Sequence, residues 1–455
     1  MNPEFQRNLW LELTPRRMFL MALVLALIFF AAALTDGMVS GPGEAARWLY
    51  YLIVVVWGTR NAARAVVGEI RDRTWDGQRL SSLGAGTMTW GKLFGSTVFN
   101  WFGGAICLAV ILADLFGKHG VGVALIEFVY YVSIGVIAQA AALLVSLVAA
   151  GRRQAHSQFE VFLYQAAGLG AAIAVYLVWA TADPAGSILA RTAPTDFTVW
   201  WGLTLDARAF LLLSLAIFTA WTLVGCVRQM RLELKMRNGP FVWLGFLIFI
   251  GIYVAGFDAW LSGNRDLAHL DAVARRLLLG DTTFAVIAYL MVFLEPKDRV
   301  HYRWLGSAFA KFDLRSALGG LQGWMTSYLF ALALGTALLV RLASEPQDQA
   351  TVGAMLGFFS RDVAIVVLAN MMSRRKSGDF AAVAILFSLY VLLPAIVKGL
   401  NYETALVVFF PRASDPVWLS PLLAWSEAVL AAVLAFGSLA LPEERAKTQA
   451  ASGTP

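Results

Sequence analysis

The sequence predicts an all-α integral membrane protein of about twelve transmembrane helices in two parallel six-helix repeats, with both termini cytoplasmic. Three observations lead there. Of 455 residues, 59% are apolar and only 15% charged, too few charges for the surface of an aqueous domain, while 30 Phe, 12 Tyr and 16 Trp exclude a disordered chain. Apolar windows of membrane length recur along the whole chain. A short charged motif recurs half a chain apart.

A hydrocarbon core of about 30 Å needs roughly 20 apolar residues per helix. Such windows fall at about 18–36, 48–67, 92–114, 121–149, 158–180, 208–227, 240–260, 279–294, 318–341, 351–372, 379–400 and 416–440, the eighth being the shortest. Arg16, Arg17 and the Ala31-Ala32-Ala33 end of the first window also fit a secretory leader, but more spans follow it and it has a partner in the second half. Lys and Arg gather on every second connection, as orientation in a membrane requires. These are Arg16 and Arg17; Arg71, Arg73 and Arg79; Arg152 and Arg153; Arg228, Arg231, Lys235 and Arg237; Lys297, Arg299, Arg303, Lys311 and Arg315; Arg374, Arg375 and Lys376; Arg445 and Lys447. The net charge of +6 therefore reflects membrane topology, in an inner-membrane multi-pass protein, and no nucleic-acid partner is expected.

Glu69-x-x-Asp72-Arg73 after the second window recurs as Glu295-x-x-Asp298-Arg299 after the eighth, Leu11-Glu12-Leu13 as Leu232-Glu233-Leu234, and Arg152-Arg153 as Arg374-Arg375. Matches at similar displacement and in the same topological place indicate duplication. The expected halves are 1–229 and 230–445, followed by a disordered cytoplasmic tail, 446–455. Six spans in each half give both the same orientation, hence a pseudo-two-fold axis along the membrane normal.

The connection from Gly68 to Lys92 is long for a plain turn between antiparallel helices. Its charges alternate in sign and Trp75, Leu80 and Leu83 mark a weak apolar stripe, the composition of a short amphipathic helix at the membrane surface. The pattern Glu69-x-x-x-x-Thr74-x-Asp76-x-x-x-Leu80, with Gly91-Lys92 at the mouth of the next span, resembles the cytoplasmic coupling segment of type-2 ABC transporter permeases. Asn2-Pro3 and the stretch Leu9 to Arg17 resemble that family's interfacial connecting helix. Trp418-Leu419-Ser420-Pro421 resembles the start of its last span, and about 181–206 and 401–415 are the places where the family has short external re-entrant helices. The resemblance implies the membrane subunit of an ATP-driven exporter. Residues 69–83, including Asp72 and Arg73, would dock a separate nucleotide-binding subunit, with Glu69 and Asp76 meeting its basic or amide groups and Trp75 filling an apolar notch. Glu295, Asp298 and Arg299 would make a second, weaker contact, since Pro296 should break the helix at Glu295 and nothing there matches Thr74 and Asp76.

Gly86-x-x-x-x-Gly91-Lys92-Leu93 lacks the hydroxyl residue that ligates magnesium in a P-loop and runs into a membrane span. ATP and Mg are therefore expected in the partner ATPase, with no cofactor on this chain. A rival class is the proton-coupled secondary transporter of the major facilitator type, whose G-x-x-x-D-R-x-G-R signature Gly68, Asp72 and Arg73 meet in part. Thr74-Trp75-Asp76 displaces Gly77 from its place in that pattern. No metalloprotease or hydrolase motif points to a membrane-embedded enzyme.

Charges at membrane depth are costly and mark function or packing. Arg361 and Asp362 in the tenth window and Glu427 in the twelfth are such charges. Adjacent residues on a helix diverge by about 100°, so Arg361 and Asp362 are expected to pair poorly with one another, and Arg361 with Glu427 across helices is the alternative. Arg60 and Arg64, four apart at the inner end of the second window, either snorkel to lipid phosphates or relay motion from the coupling segment. Cys107 and Cys226 sit in apolar runs and His119, His156, His269 and His301 are scattered, so no metal site is expected.

Overall fold

The computed structural model describes residues 2–36, 41–150, 158–182, 197–236, 238–264, 267–372, 378–412 and 416–440. Arg152, Arg153, His156, Arg237, Arg374, Arg375, Lys376, Arg445, Lys447 and the tail 446–455 lie outside the described residues. The chain is an all-α, multi-pass membrane protein. Among the described residues, nine helices are long and apolar enough to cross a membrane. It divides into two compact units, residues 1–198 with 204–238, and residues 199–203 with 239–455.

The first unit begins with α1 (Pro3–Glu12), where Asn2 caps the helix by accepting from the Glu4 and Phe5 amides and Pro3 supplies the preset φ of a first turn. The apolar rod α2 (Pro15–Asp36) follows. The second window is longer than its apolar run suggests: α3 (Gly41–Tyr50), a π-helical stretch (Tyr51–Trp57) and α4 (Gly58–Arg71) continue one another. After α5 (Trp75–Arg79) and α6 (Ala85–Ser96), the third and fourth windows are spanned by α7 (Val98–Ala150), 53 residues long. At 1.5 Å per residue that exceeds twice the thickness of a bilayer core. Its regular geometry fails at Gly120 (φ 81°, ψ 177°), a conformation open to glycine. Next comes α8 (Gln158–Ala182), where a Cβ at Gly168 would lie 2.5 Å from the Ala138 carbonyl of α7, so two membrane helices cross with backbones in contact.

At 197–206 the expected external helix is replaced by a hairpin, β1 (Phe197–Trp200) and β2 (Leu203–Asp206). Its turn places both Trp201 (φ 51°) and Gly202 (φ 75°) in the left-handed region, as two-residue hairpins require. Residues 183–196 are outside the described set. Asp206 then caps α9 (Ala207–Glu233), accepting from the Ala209 amide at 2.8 Å.

The second unit holds α10 (Phe241–Ala255), α11 (Asp258–Ser262), α12 (Ala272–Leu294), α13 (Arg299–Ala310), α14 (Leu314–Gly320), α15 (Gly323–Arg341) and α16 (Pro346–Met372). It continues with α17 (Gly378–Phe387), a π stretch (Ser388–Leu392), α18 (Leu393–Gly399), a 3₁₀ turn (Glu403–Val408) and α19 (Leu419–Ala440). Fifteen residues make α10 only about 22 Å long. The Trp201 amide and the indoles of Trp200 and Trp201 take the Gly256, Tyr253 and Ile252 carbonyls at its end. The eighth window extends further back than its apolar run, because Asp271 caps α12 at the Ala274 amide, and it ends at Glu295 (ψ 145°), the residue Pro296 forces out of helix. The helices α16 and α19 pack closely: a Cβ on Gly357 would stand 2.7 Å from the Ala424 Cβ.

Candidate functional site

The Glu69-x-x-Asp72-Arg73 motif closes α4. Helical geometry runs to Arg71, Asp72 caps it, and Arg73 turns the chain in the left-handed region (φ 58°). The Thr74 amide and hydroxyl donate back to the Glu69 carbonyl at 2.9 and 3.3 Å, and a single helical turn, α5, follows. The expected amphipathic helix over 69–83 is therefore three pieces, the end of α4, a turn and α5. A left-handed residue cannot continue a helix.

Four elements meet at Glu69. One carboxylate oxygen accepts from the Arg7 guanidinium of α1 at 2.7 Å and from the Gln78 amide of α5 at 2.7 Å, and the other pairs with the Lys92 ammonium of α6. Lys92 also pairs with Glu4 at 2.7 Å, and Arg7 with Glu4 at 2.9 Å. The two carboxylates and two cations balance in charge, which a buried group needs, and Lys92 is only 1% exposed. Gly91 and Gly95 let α1 lie directly on α6, where a Cβ would meet Glu4 and Asn8. Asn2 fastens the same contact by donating to the Thr87 carbonyl at 2.6 Å.

Trp75 belongs to this joint. It is 4% exposed, packed among Ala62, Val66 and Met88, with the Lys92 ammonium 5.9 Å from its ring centre. The expectation that Trp75 fills a notch in a partner is corrected: an indole with this much apolar area is already buried in its own unit. Glu69 likewise spends its carboxylate on internal partners. The outward tip of the motif comprises Asp72, Arg73, Thr74, Asp76 and Leu80, with Leu80 and the Asp76 side chain each 89% exposed and Asp76 3.6 Å from Arg79. Further up α4, Arg60 is exposed and Arg64 half-buried.

The second occurrence is built differently. Glu295 accepts from the Gly323 and Trp324 amides at 3.0 and 3.1 Å, so it satisfies orphan donors at the start of α15. Asp298 caps α13 at the Val300 amide, and Arg299 donates to the Met371 carbonyl. Between them, Lys297 pairs with Asp379 at 2.8 Å. In both units the motif's glutamate reaches a following helix, Lys92 within α6 in one and the first amides of α15 in the other.

At membrane depth in the second unit, Arg361 bonds Glu427 of α19 at 2.7 Å, as the cross-helix alternative anticipated. It also bonds Asp362 at 3.1 Å, which corrects the expectation of poor pairing: the three-methylene arginine stem reaches round the helix although the Cβ atoms diverge. Asp362 accepts from the Tyr289 and Tyr390 hydroxyls at 2.8 and 2.6 Å, and the guanidinium lies over the Phe358 and Tyr390 rings.

Sequence reasoning missed a polar system in the first unit. Widening to a π-helix frees carbonyls, and amide side chains from neighbouring helices take them: Asn100 at Ile53, Gln139 at Val54 and Gln165 at Val56, each at 2.9 Å. Asn61 donates to Asn100 at 2.8 Å and the Trp101 indole to Gln139 at 2.9 Å. The signal was in the sequence, since Asn or Gln inside an apolar window needs a partner. Glu4 and Arg7 were missed because their partners are remote in sequence, Lys92 lying 88 positions from Glu4 and Glu69 62 positions from Arg7. Among the described residues no group of three or more metal-ligating side chains gathers.

A charged joint ties α1, the end of α4, α5 and α6 together and leaves a small exposed tip outside. No protein-family model, curated protein or solved structure matches the chain.

Proposed function

We propose that the chain is the permease subunit of an ATP-binding cassette exporter of the type-2 class, two fused six-span halves in an inner membrane with both termini cytoplasmic. Twelve passes follow if α7 crosses twice about Gly120 and if both the α3–α4 rod and α10 cross. The observation that carries the reading is the joint at Glu69. A partner that engages Asp72, Thr74, Asp76 and Leu80 pushes on a lever whose other arms are α1, α4 and α6. ATP and Mg belong to that separate subunit, and hydrolysis moves the substrate through displacement of this joint. Arg60 and Arg64 lie on α4, directly in the line of force. The test is Asp76→Ala with Leu80→Ser in the full chain. Loss of the co-purifying ATPase, with thermal stability retained, supports the reading, and undiminished co-purification and transport refutes it.

One observation favours a proton-coupled secondary transporter of the major facilitator type instead. Arg361 faces two carboxylates, Asp362 and Glu427, so the set carries one acid more than it has bases. A membrane interior tolerates that excess when a proton or another cation neutralises it. Transport driven by a proton gradient without ATP, and abolished by Glu427→Gln, would select this reading.

A further inference from the structure

The segment joining α12 to α15 is unlike its counterpart in the first unit. Residues 69–83 carry three acids and three arginines, whereas residues 295–315 carry five Lys or Arg against Glu295, Asp298 and Asp313. All three of those acids are used internally, Glu295 on the α15 amides and Asp298 and Asp313 as helix caps. Lys297 is buried against Asp379 and Arg299 is taken up by the Met371 carbonyl, so the exposed cations are Arg303, Lys311 and Arg315, which stand with the aromatic side chains beside the exposed caps Asp298 and Asp313.

Its shape is held from within. Tyr302, Leu305 and Ala308 form the inner face of α13, and Leu305 and Ala308 pack with Ala317 of α14. His301 bonds the Gly320 carbonyl at 2.9 Å, the Tyr302 hydroxyl bonds Gln322 at 3.2 Å, and Gln322 returns to the Pro296 carbonyl at 2.8 Å. On the opposite face Val300 and Arg303 are exposed, Phe309 is exposed on a flank, and Trp304 lays one ring edge against Gly320 of α14 while leaving the rest of the indole exposed. At the corner Phe312 is 86% exposed and holds a left-handed φ of 54°, beside Lys311 and Arg315. A helix C-terminus normally gives that conformation to glycine, and an aromatic side chain there is strained. Water offers an exposed phenyl ring no compensation, whereas an acyl-chain boundary does.

Since α12 and α15 are both of membrane-crossing length and character, the segment between Leu294 and Gly323 lies at the level where they leave the bilayer. We infer that α13, α14 and the Phe312 corner form a membrane-surface device, with Val300, Trp304, Phe309 and Phe312 set into the headgroup boundary and Lys311 and Arg315 on anionic lipid headgroups. An amphipathic helix with basic and aromatic exposed residues has the composition for that interface. The inference rests on the membrane character of α12 and α15 and stands whether or not an ATPase is the partner.

The experiment uses the full chain in nanodiscs, one set of phosphatidylcholine and one of phosphatidylcholine with phosphatidylglycerol. Phe312→Cys carries an environment-sensitive fluorophore, and Asp76→Cys is the control. The native Cys107 and Cys226 are fully buried, and labelled wild type sets the background. Nitroxide-bearing lipid is expected to quench position 312 at least about twofold more than position 76, and phosphatidylglycerol to deepen the effect. Lys311→Glu with Arg315→Glu should remove the dependence on anionic lipid. Quenching of position 312 by aqueous iodide as strong as at position 76, in both lipid sets, overturns the inference. So does protection that appears only on addition of the co-purifying ATPase, which would make the segment a protein-docking surface.

Discussion

Replacing Lys92 by methionine tests the joint most sharply, because it keeps the length of the side chain and deletes its charge. At 2.7 Å from Glu4, the ammonium gains a gross attraction of about 6 kcal/mol at an effective dielectric of 20, with Glu69 adding a second contact. Dehydrating the ammonium takes back several kcal/mol. What the variant measures is the penalty of leaving two nearly buried carboxylates without their shared cation, about 3–5 kcal/mol for a buried pair. Arg7 still bonds both carboxylates and is half-exposed, so the expectation is the lower end, about 3 kcal/mol. Urea unfolding of the detergent-solubilised chain, followed by tryptophan fluorescence, reads this as a fall in midpoint. Glu69→Gln with Lys92→Met should cost less than the sum of the two single changes, with a coupling of at least about 1 kcal/mol. A single-variant loss below about 1 kcal/mol, or strict additivity, refutes the joint as a stabilised unit.

Three further outcomes follow from the geometry. Arg361→Leu should destabilise by about 3–5 kcal/mol in the same assay, because Asp362 and Glu427 are left unpaired, and Arg361→Leu with Glu427→Leu should recover part of the loss. Trp75→Ala should cost about 3–5 kcal/mol as a buried indole, whereas Leu80→Ser should stay within about 0.5 kcal/mol. A stable Trp75→Ala protein that merely lost its partner would restore the notch-filling role. The hydrogen bond from Arg341 holds the Asp271 carboxyl below its ordinary range. Its contribution is thus present above the unfolded-state value near 3.9 and is lost as the pH falls through the lower folded one. The stability gap between wild type and Asp271→Asn should close on acidification from pH 5 to pH 2, and a gap independent of pH would contradict the assignment.

The membrane helices were legible because burial in lipid writes itself into twenty-residue apolar runs. The break at Glu295 was equally legible, since proline acts on its neighbour without help from tertiary structure. So was the Arg361–Glu427 pair, because a charge at membrane depth needs a partner. Features that depend on distant side chains were not. The π-helical stretch exists through Asn100, Gln139 and Gln165, which no local pattern around Tyr51–Trp57 announces. Trp75 sits among charged neighbours and reads as exposed, yet its turn folds it beneath Lys92. The hairpin at 197–206 had a readable signal in Thr198-Val199 and Leu203-Thr204 around Trp201-Gly202, alternating residues about a turn with glycine, but the family resemblance directed that stretch to a helix.

The central claim is that the tip at Asp72–Leu80 is where a separate ATPase drives the chain. A mild-detergent pulldown of the tagged full chain from its native host, with mass spectrometry and an ATPase assay on the eluate, tests it directly. The expected result is a stoichiometric P-loop ATPase whose recovery is lost in Asp76→Ala, Leu80→Ser protein of unchanged thermal stability. Transport sustained by a proton gradient alone, with no ATPase recovered, would contradict it.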